Sequence, residues 1–527
     1  MTDIEEKHRT IFLNKVILER EYYSCIEMIF VKKYSQQRSR GAFGMIKKIS
    51  IIIIYILVFI MLFSATAFAG EDPQGIALSW SDDTATTMTV SWRSGIQSDQ
   101  KLQVVSEVEY ADSVFENSIQ IEAKCKDVSL DNSKQWRYEA TVTGLDENTS
   151  YVYRVGSEYC WSSEKVFTTA DSQTESITFM YMGDIQPVND TKAEYAAWEK
   201  LTETAYQLNP EINFGILGGD IVGSGISLEQ FDVFRESAES VFSEIPLMAV
   251  NGNHESNFAG SGKPELYLDV FSLPENGPEG FKEEFYSFDY GADCHVTGLN
   301  SWVYSGEQGL SDAQLDAIDR WVEKDLATSS AKWKVVVLHN PVYAVHSDTT
   351  ADLIKVNWAP LFDKYGVDLV LEGHQHVYSR RSPIEEGKVD YGNGITYIMG
   401  VSGSKFYDSA DETRAEKTVY NTSNYQLIKI DGDTMTVQSM DASGNEFDWC
   451  SVNQREMTLT RGEYIDMLWR AAGSPDAGNS PFIDDKSKAA AWAYENGLIL
   501  GYGGGVFGPD DNITEEQMDI IGARMEG

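Results

Sequence analysis

The sequence predicts a multidomain chain: an antiparallel β-sandwich, then an α/β layered domain, then a small α-helical tail. Three observations carry this. At 527 residues the chain exceeds what one hydrophobic core organises, about 250–300 residues. Its apolar periodicity changes near residue 175 from plain alternation to short apolar runs interleaved with helical patterns. A second change, after residue 450, opens a stretch that is helical and Gly-rich by turns. With 42% apolar and 12% aromatic residues the chain has material for real cores, which excludes a disordered polymer. The 82 acidic against 42 basic residues give −40, so a broad basic face for polyphosphate backbones is excluded and no nucleic-acid scaffold is expected as partner. A local cationic pocket built by metal ions stays compatible with that balance.

Residues 45–69 have the grammar of a secretory signal peptide. Lys47 and Lys48 form the basic region, Ile49 to Phe63 the apolar region, and Ala67-Phe68-Ala69 a small-x-small cleavage signal before Gly70. Residues 1–44 then read as an upstream extension, with the start at Met45. The alternative is an uncleaved anchor, because the 21 mostly apolar residues from Ile49 to Ala69 are long enough to cross a bilayer. The first reading makes the protein secreted, the second membrane-anchored; in both the remainder is extracellular. Residues 1–69 hold 10 basic and 6 acidic residues, so the exported part is more acidic than the whole. Export permits disulfides. Cys125, Cys160, Cys294 and Cys450 allow several pairings, of which Cys125–Cys160 lies within one small domain; free thiols are the other reading.

Residues 73–170 alternate like half-buried strands: Met88, Val90, Trp92; Tyr138, Ala140, Val142; Tyr151, Tyr153, Val155. Turn-formers separate the runs and no helical stretch intervenes, which predicts the sandwich. Leu145, followed by Asp-Glu-Asn-Thr-Ser and Tyr151, resembles the tyrosine corner of fibronectin type III-like domains. This part carries no chemistry of its own and reads as a spacer or a wall on the substrate side.

Residues 175–450 predict the α/β domain. Tyr195, Trp198, Leu201, Ala205 and Leu208 lie at helical spacing. Ser311 opens a capping box with Gln314, followed by Leu315, Ile318, Val322 and Leu326 on one stripe. Strand patterns return at Ile395–Met399, Tyr425–Ile430 and Met435–Val437, closing the same domain, and 451–457 reads as a linker.

Five apolar runs here each end in a polar cluster. Ile177–Met182 leads to Gly183-Asp184-Ile185-Gln186, and Ile212–Leu217 to Gly218-Gly219-Asp220. Leu247–Val250 leads to Asn251-Gly252-Asn253-His254-Glu255, Val335–Leu338 to His339-Asn340-Pro341, and Val367–Leu371 to Glu372-Gly373-His374-Gln375-His376. Ligands of α/β sheets bind at the carboxyl ends of strands, where all five clusters would sit. With His346 counted, they hold five of the chain's seven histidines. Asp, Asn and His without Cys suit borderline or harder metal ions, and a carboxylate can bridge two of them. Two such ions about 3.5–4 Å apart clamp a phosphoryl group and activate water.

In these motifs residues 177–400 resemble the calcineurin-like metallophosphoesterases. Together with the preceding sandwich, 73–450 resembles the purple acid phosphatase branch. The resemblance implies a centre of two metal ions (Fe, Zn or Mn) and hydrolysis of phosphate esters by metal-activated hydroxide. Carried over by position, Asp184, Asp220 and His376 would hold the first ion, with Asp220 bridging, and Asn253, His339 and His374 the second. His254 would contact the phosphate and assist the leaving group, and His346 sits near a further phosphate-contacting histidine. Two departures matter. The family's tyrosine after the second motif is Gly223, and the histidine of Asp-x-His is Gln186, whose amide oxygen or a water fills that position. A colourless protein with a less tightly held first ion is therefore expected. The motifs do not separate monoester from diester or nucleotide; export and acidity favour small extracellular monoesters. A non-catalytic surface protein is the reading from another class.

Residues 458–527 resemble an S-layer homology module. Thr460-Arg461-Gly462-Glu463 is the helix start, followed by Phe482-Ile-Asp484, Trp492-Ala493, Gly501-Tyr502-Gly503, Phe507-Gly-Pro509 and Ile513-Thr514. The family binds acidic secondary polymers of Gram-positive cell walls, commonly with three repeats, whereas one and a half stand here. Arg461 is the expected polymer contact; a vestigial or folding-only module is the alternative.

Overall fold

The computed structural model of the chain describes residues 72–129, 135–257, 260–455 and 459–526; the expectations for the extension 1–44 and the signal segment 45–69 lie outside them. Among the described residues no helix is long and apolar enough to cross a membrane.

The first described part is a pair of antiparallel sheets. One orders Gln74–Ser79, Thr87–Ser94, Trp136–Thr143 and Lys124–Asp127; the other orders Ile119–Glu122, Lys101–Ser106, Ser150–Ser157 and Cys160–Trp161, with Lys165–Thr168 on Ser150–Ser157. Met88, Val90, Trp92, Tyr138, Val142 and Tyr153 are all buried between them. The opposite face of Thr87–Ser94 is buried as well, which alternation alone does not foretell. There Thr89 bonds Ser81 and Thr141 through hydroxyls, and Arg235 of a following helix donates to Gly75 and Ser91 carbonyls. A seven-residue helix, Glu107–Ser113, does intervene, contrary to expectation. It is too short to show periodicity and is nucleated by its Ser106 cap, which accepts from Glu109 N. Among the described residues no Cys125–Cys160 bridge forms. The two sit on strands of different sheets.

The central part is two mixed sheets. β1 (Ser176–Met182), β2 (Phe214–Gly218) and β3 (Leu247–Val250) run parallel, and β1 continues antiparallel into Asn424–Asp431, Thr434–Asp441 and Glu446–Val452. In the second sheet β4 (Trp333–Leu338), β5 (Leu369–Glu372) and β6 (Thr396–Met399) run parallel beside Cys294–Leu299. The sheets meet through buried side chains: the Tyr181 hydroxyl donates to the Glu372 carbonyl (2.7 Å), and Tyr286 to that of Ala249 (2.8 Å). The expected closing strands thus divide between two sheets. Helix α1 (Thr191–Leu208) buries Tyr195, Trp198, Leu201 and Ala205 against α2 (Leu228–Phe242), whereas Leu208 at its last position is 57% exposed. The capping box of α3 (Asp312–Thr328) forms, and its Ile318, Val322 and Leu326 are buried.

The tail has three helices, α4 (Arg461–Ala471), α5 (Lys488–Glu495) and α6 (Glu515–Glu526). It docks on α3 through Arg470, which pairs with the buried Glu323 (3.1 Å). Part of the expected linker is fixed: Arg455 is 6% exposed and donates to the Phe362 and Val367 carbonyls. Arg461 is likewise interior, which corrects the expectation of a polymer contact. Its guanidinium donates to Phe507 O (3.1 Å) and Gln517 Oε1 (2.6 Å) and stacks over Tyr502.

Candidate metal centre

β1, β2, β3, β4 and β5 end at one edge, and their exits carry the candidate side chains. Two backbone bonds join the first two exits: Asp184 N to Gly219 O (3.1 Å) and Gln186 N to Asp220 O (2.9 Å). Four of the seven candidate metal ligands have left-handed backbones: Asp184 (φ 51°), Asp220 (50°), His374 (75°) and His376 (45°). Such a conformation costs on the order of 1 kcal/mol or more in a non-glycine residue, and it concentrates where side chains must be aimed. Gly252 cannot be replaced without movement, because a Cβ there would lie 2.3 Å from Asp220 Oδ1.

Two donor groups result, Asp220–His339–His374 and Asp184–Asp220–His376, each with ligand atoms within 4.8 Å of one another. Asp220 belongs to both. His339 Nδ1 donates to Gly218 O (2.9 Å), so its Nε2 lone pair faces Asp220 Oδ1 (3.2 Å), Asn253 Oδ1 (3.2 Å) and His374 Nδ1 (3.3 Å). Acceptors crowded in this way repel each other unless a cation or proton lies among them. In the other group Gln186 Nε2 donates to Asp220 Oδ2 (2.9 Å), and buried Gln186 Oε1 and His376 Nδ1 have no partner among the described residues. An oxygen–nitrogen donor set with unspent lone pairs fits a pair of metal ions.

The electrostatics express the same crowding. Burial, aided by Asp220, raises the Asp184 carboxyl to about 8 against the pull of His339. At Asp220 burial is outweighed by His339, His254 and His374, which hold that carboxyl well below the usual range. Burial also opposes charge on His339, yet the Asp220 and Asp184 carboxylates lift it to about 9. His376 falls to about 3, through burial first and the charge of Lys405 second.

His254 stands at the rim with its side chain 29% exposed. Its Nδ1 donates to Gly223 O (2.9 Å), leaving Nε2 turned toward Asp220 Oδ2 at 3.8 Å. His346 is not part of either donor group. Its ring packs on Tyr407, which packs on His376, both at 5.2 Å. A Cβ at Gly223 would lie 2.9 Å from Pro187 O, so a tyrosine there needs a different loop course.

Several residues escaped the sequence reading. Glu255, fully buried, accepts from the backbone N–H of Asp220 (2.9 Å), Ile221 (2.7 Å), Val222 (3.0 Å) and Gly252 (2.6 Å), locking two exits together. Asp348 pairs with His374 Nε2 (3.3 Å), which fixes the ring with Nδ1 inward. Gln375 Oε1 accepts from Val345 N and His346 N, holding the His346 loop. The signal for Glu255 and Gln375 was their place inside the motifs; for Asp348 there was none beyond its position as a helix cap.

Comparison with known proteins agrees with this architecture. Residues 73–169 match the purple acid phosphatase N-terminal domain, 177–378 calcineurin-like phosphoesterase, and 483–518 the S-layer homology domain. Purple acid phosphatase 15 of Arabidopsis thaliana is 24% identical over 64% of this chain and 69% of its own length. An uncharacterized protein of Mycobacterium tuberculosis is 28% identical over 46% of this chain, which spans half of that relative. The fold is similar to that of the yellow lupin purple acid phosphatase PPD1, with a TM-score of 0.58 at 17% identity over 76% of each chain. The domain matches and the two donor groups sharing Asp220 agree: the chain carries a purple acid phosphatase N-terminal domain, a calcineurin-like phosphoesterase domain with candidate ligands for two metal ions, and an S-layer homology domain, which together support a phosphoric ester hydrolase similar to purple acid phosphatases.

Proposed function

We propose that the chain is a secreted, cell-wall-associated phosphatase acting on phosphate monoesters. The observation that carries the catalytic part is Asp220 shared between two donor groups, with His254 Nε2 facing them from the rim. Asp184, Gln186, Asp220 and His376 would hold one ion, and Asp220, Asn253, His339 and His374 the other. When bound, the ions supply charge for the phosphoryl oxygens and an activated water. The chain's own groups do the rest. His254, oriented by Gly223 O, hands a proton to the departing alkoxide. Glu255 keeps the Asp220 and Asn253 turns in register, and Asp348 holds the His374 tautomer. A phosphate contact from His346 is supported by its buried Nε2, which has no partner among the described residues.

Export is supported by the pattern of residues 45–69, and wall association by the S-layer homology match. A fibronectin type III-like identity of the first sandwich is supported by its corner, where the Tyr151 hydroxyl accepts from Asp146 N (2.9 Å). Gln186 and Gly223, which thin the first ion's shell, keep a second reading in play: a non-catalytic surface protein. Metal content and hydrolysis of p-nitrophenyl phosphate against bis-p-nitrophenyl phosphate decide between them, with Asn253→Ala beside the wild type. Two ions and monoester turnover lost in the variant are expected. Preferred diester turnover would make it a phosphodiesterase or nucleotidase, and one ion with no turnover would favour the surface protein.

A further inference from the structure

A sixth strand exit reaches the site, and it comes from a run whose polar end the motif pattern does not include. β6 leads into Gly400-Val401-Ser402-Gly403-Ser404-Lys405-Phe406-Tyr407. This loop is bonded onto the Asp184 turn. Ser402 N donates to Gly183 O (2.7 Å), Gly403 N to Asp184 O (3.1 Å), and Gly183 N to Ser402 Oγ (3.3 Å). At its far end Tyr407 N donates to His376 O (3.0 Å). Tied at both ends, the loop presents Lys405 half-buried, with Nζ 6.0 Å from the Tyr407 ring centroid. Its charge is felt by both Asp184 and His376.

Lys405 forms no ion pair among the described residues, although acidic residues outnumber basic ones 82 to 42. An ammonium held beside a centre that gathers metal cations is repelled by them, unless an anion lies between to neutralise both. A phosphate monoester brings up to two negative charges near neutral pH, and a diester one. We propose that Lys405 is a phosphate-binding residue of this site that favours dianionic phosphate monoesters over diesters, with the Tyr407 ring bracing its side chain. The inference rests on the phosphoesterase reading and sharpens its substrate class.

The test compares wild type with Lys405→Met and Lys405→Arg in the full chain. It uses p-nitrophenyl phosphate, bis-p-nitrophenyl phosphate, calorimetric titration with inorganic phosphate, and metal content. In Lys405→Met, kcat/KM for the monoester should fall 10- to 100-fold and that for the diester less than threefold. Inorganic phosphate should bind about tenfold more weakly, metal content should be unchanged, and Lys405→Arg should recover most of the monoester rate. Equal losses on both esters, or unchanged phosphate affinity, overturn the proposal. So does a gain of bound metal in Lys405→Met, which would make the lysine a stand-in for an ion. Should wild type turn over neither ester, the phosphoesterase reading fails instead. Phosphate calorimetry then judges Lys405 alone, equal affinity in wild type and variant overturning it.

Discussion

The central domain buries histidine among carboxylates in two places, and the two clusters are built on opposite principles. At His295, Nδ1 meets Asp289 (2.7 Å) and Nε2 meets Asp325 (3.1 Å), while Asp325 also accepts from the Ser287 and Thr297 hydroxyls (2.5 and 2.7 Å). Both ring nitrogens are spent, and none of the three residues has a left-handed backbone. At His339, His374 and His376 the lone pairs converge, Gln186 Oε1 and His376 Nδ1 lack partners among the described residues, and four candidate ligands have positive φ. A buried histidine beside carboxylates is common to the two clusters, so residue type does not distinguish them. What separates a structural cluster from a functional one is whether its polar atoms are already satisfied.

The largest contrast is expected from removing one residue of each cluster. Asp220→Ala should lower kcat/KM at least 10³-fold, about 4 kcal/mol of transition-state stabilisation, and reduce bound metal. His295→Gln should leave kcat/KM within threefold. A folded His295→Gln variant with a tenfold lower kcat/KM would break the distinction.

Next comes the scaffold beneath the functional cluster. Glu255→Gln replaces a carboxylate that accepts four backbone N–H groups with an amide that carries a donor and one acceptor oxygen, and should destabilise by about 2–4 kcal/mol. Denaturant unfolding reads this directly, and an unchanged midpoint would refute the role.

The satisfied cluster should announce itself in pH. Burial alone would lower the His295 pKa, but Asp325 and Asp289 outweigh it and raise it to about 9 from 6.5. A raised folded pKa means that the contribution is complete below about pH 6.5 and is lost as pH rises through about 9. The contribution is on the order of 3 kcal/mol. Melting temperature should therefore fall across this window in wild type by more than in His295→Gln; parallel curves would overturn the assignment.

The smallest effect concerns the thinned first site. Gln186→Ala should weaken one ion about tenfold, near 1.4 kcal/mol, and spare the other. The iron-loaded protein should stay colourless, since Gly223 stands where the family's tyrosine would give the colour. Equal loss of both ions, or a purple band, would show that the ligand shell is drawn wrongly.

Much of the site was legible because strand exits repeat. Asp184, Gln186, Asp220, Asn253, His339, His374 and His376 each lie within five residues of the end of an apolar run, and parallel pairing brings those ends to one edge. The same logic reached His254 by adjacency. It reaches less far at His346, which is seven residues beyond its motif histidine, on a loop whose course depends on Gln375. It also missed the exit of β6, where Lys405 is five residues past Gly400 and no Asp or His marks the turn. Arg461 was misjudged because a cation reads as exposed until its carbonyl and aromatic partners are known.

The sequence by itself determined the domain order, the strand and helix periods, and the metal-ligating residue types, because each is encoded within a few residues of its neighbours. Only the tertiary structure decided which polar atoms are satisfied: His295 closed by Asp289 and Asp325, Asp220 shared by two donor groups, Glu255 locking two turns, the Lys405 loop bonded to the Asp184 turn. Satisfaction depends on partners tens to hundreds of residues away, brought together by sheet pairing and loop closure, and no local pattern carries that information.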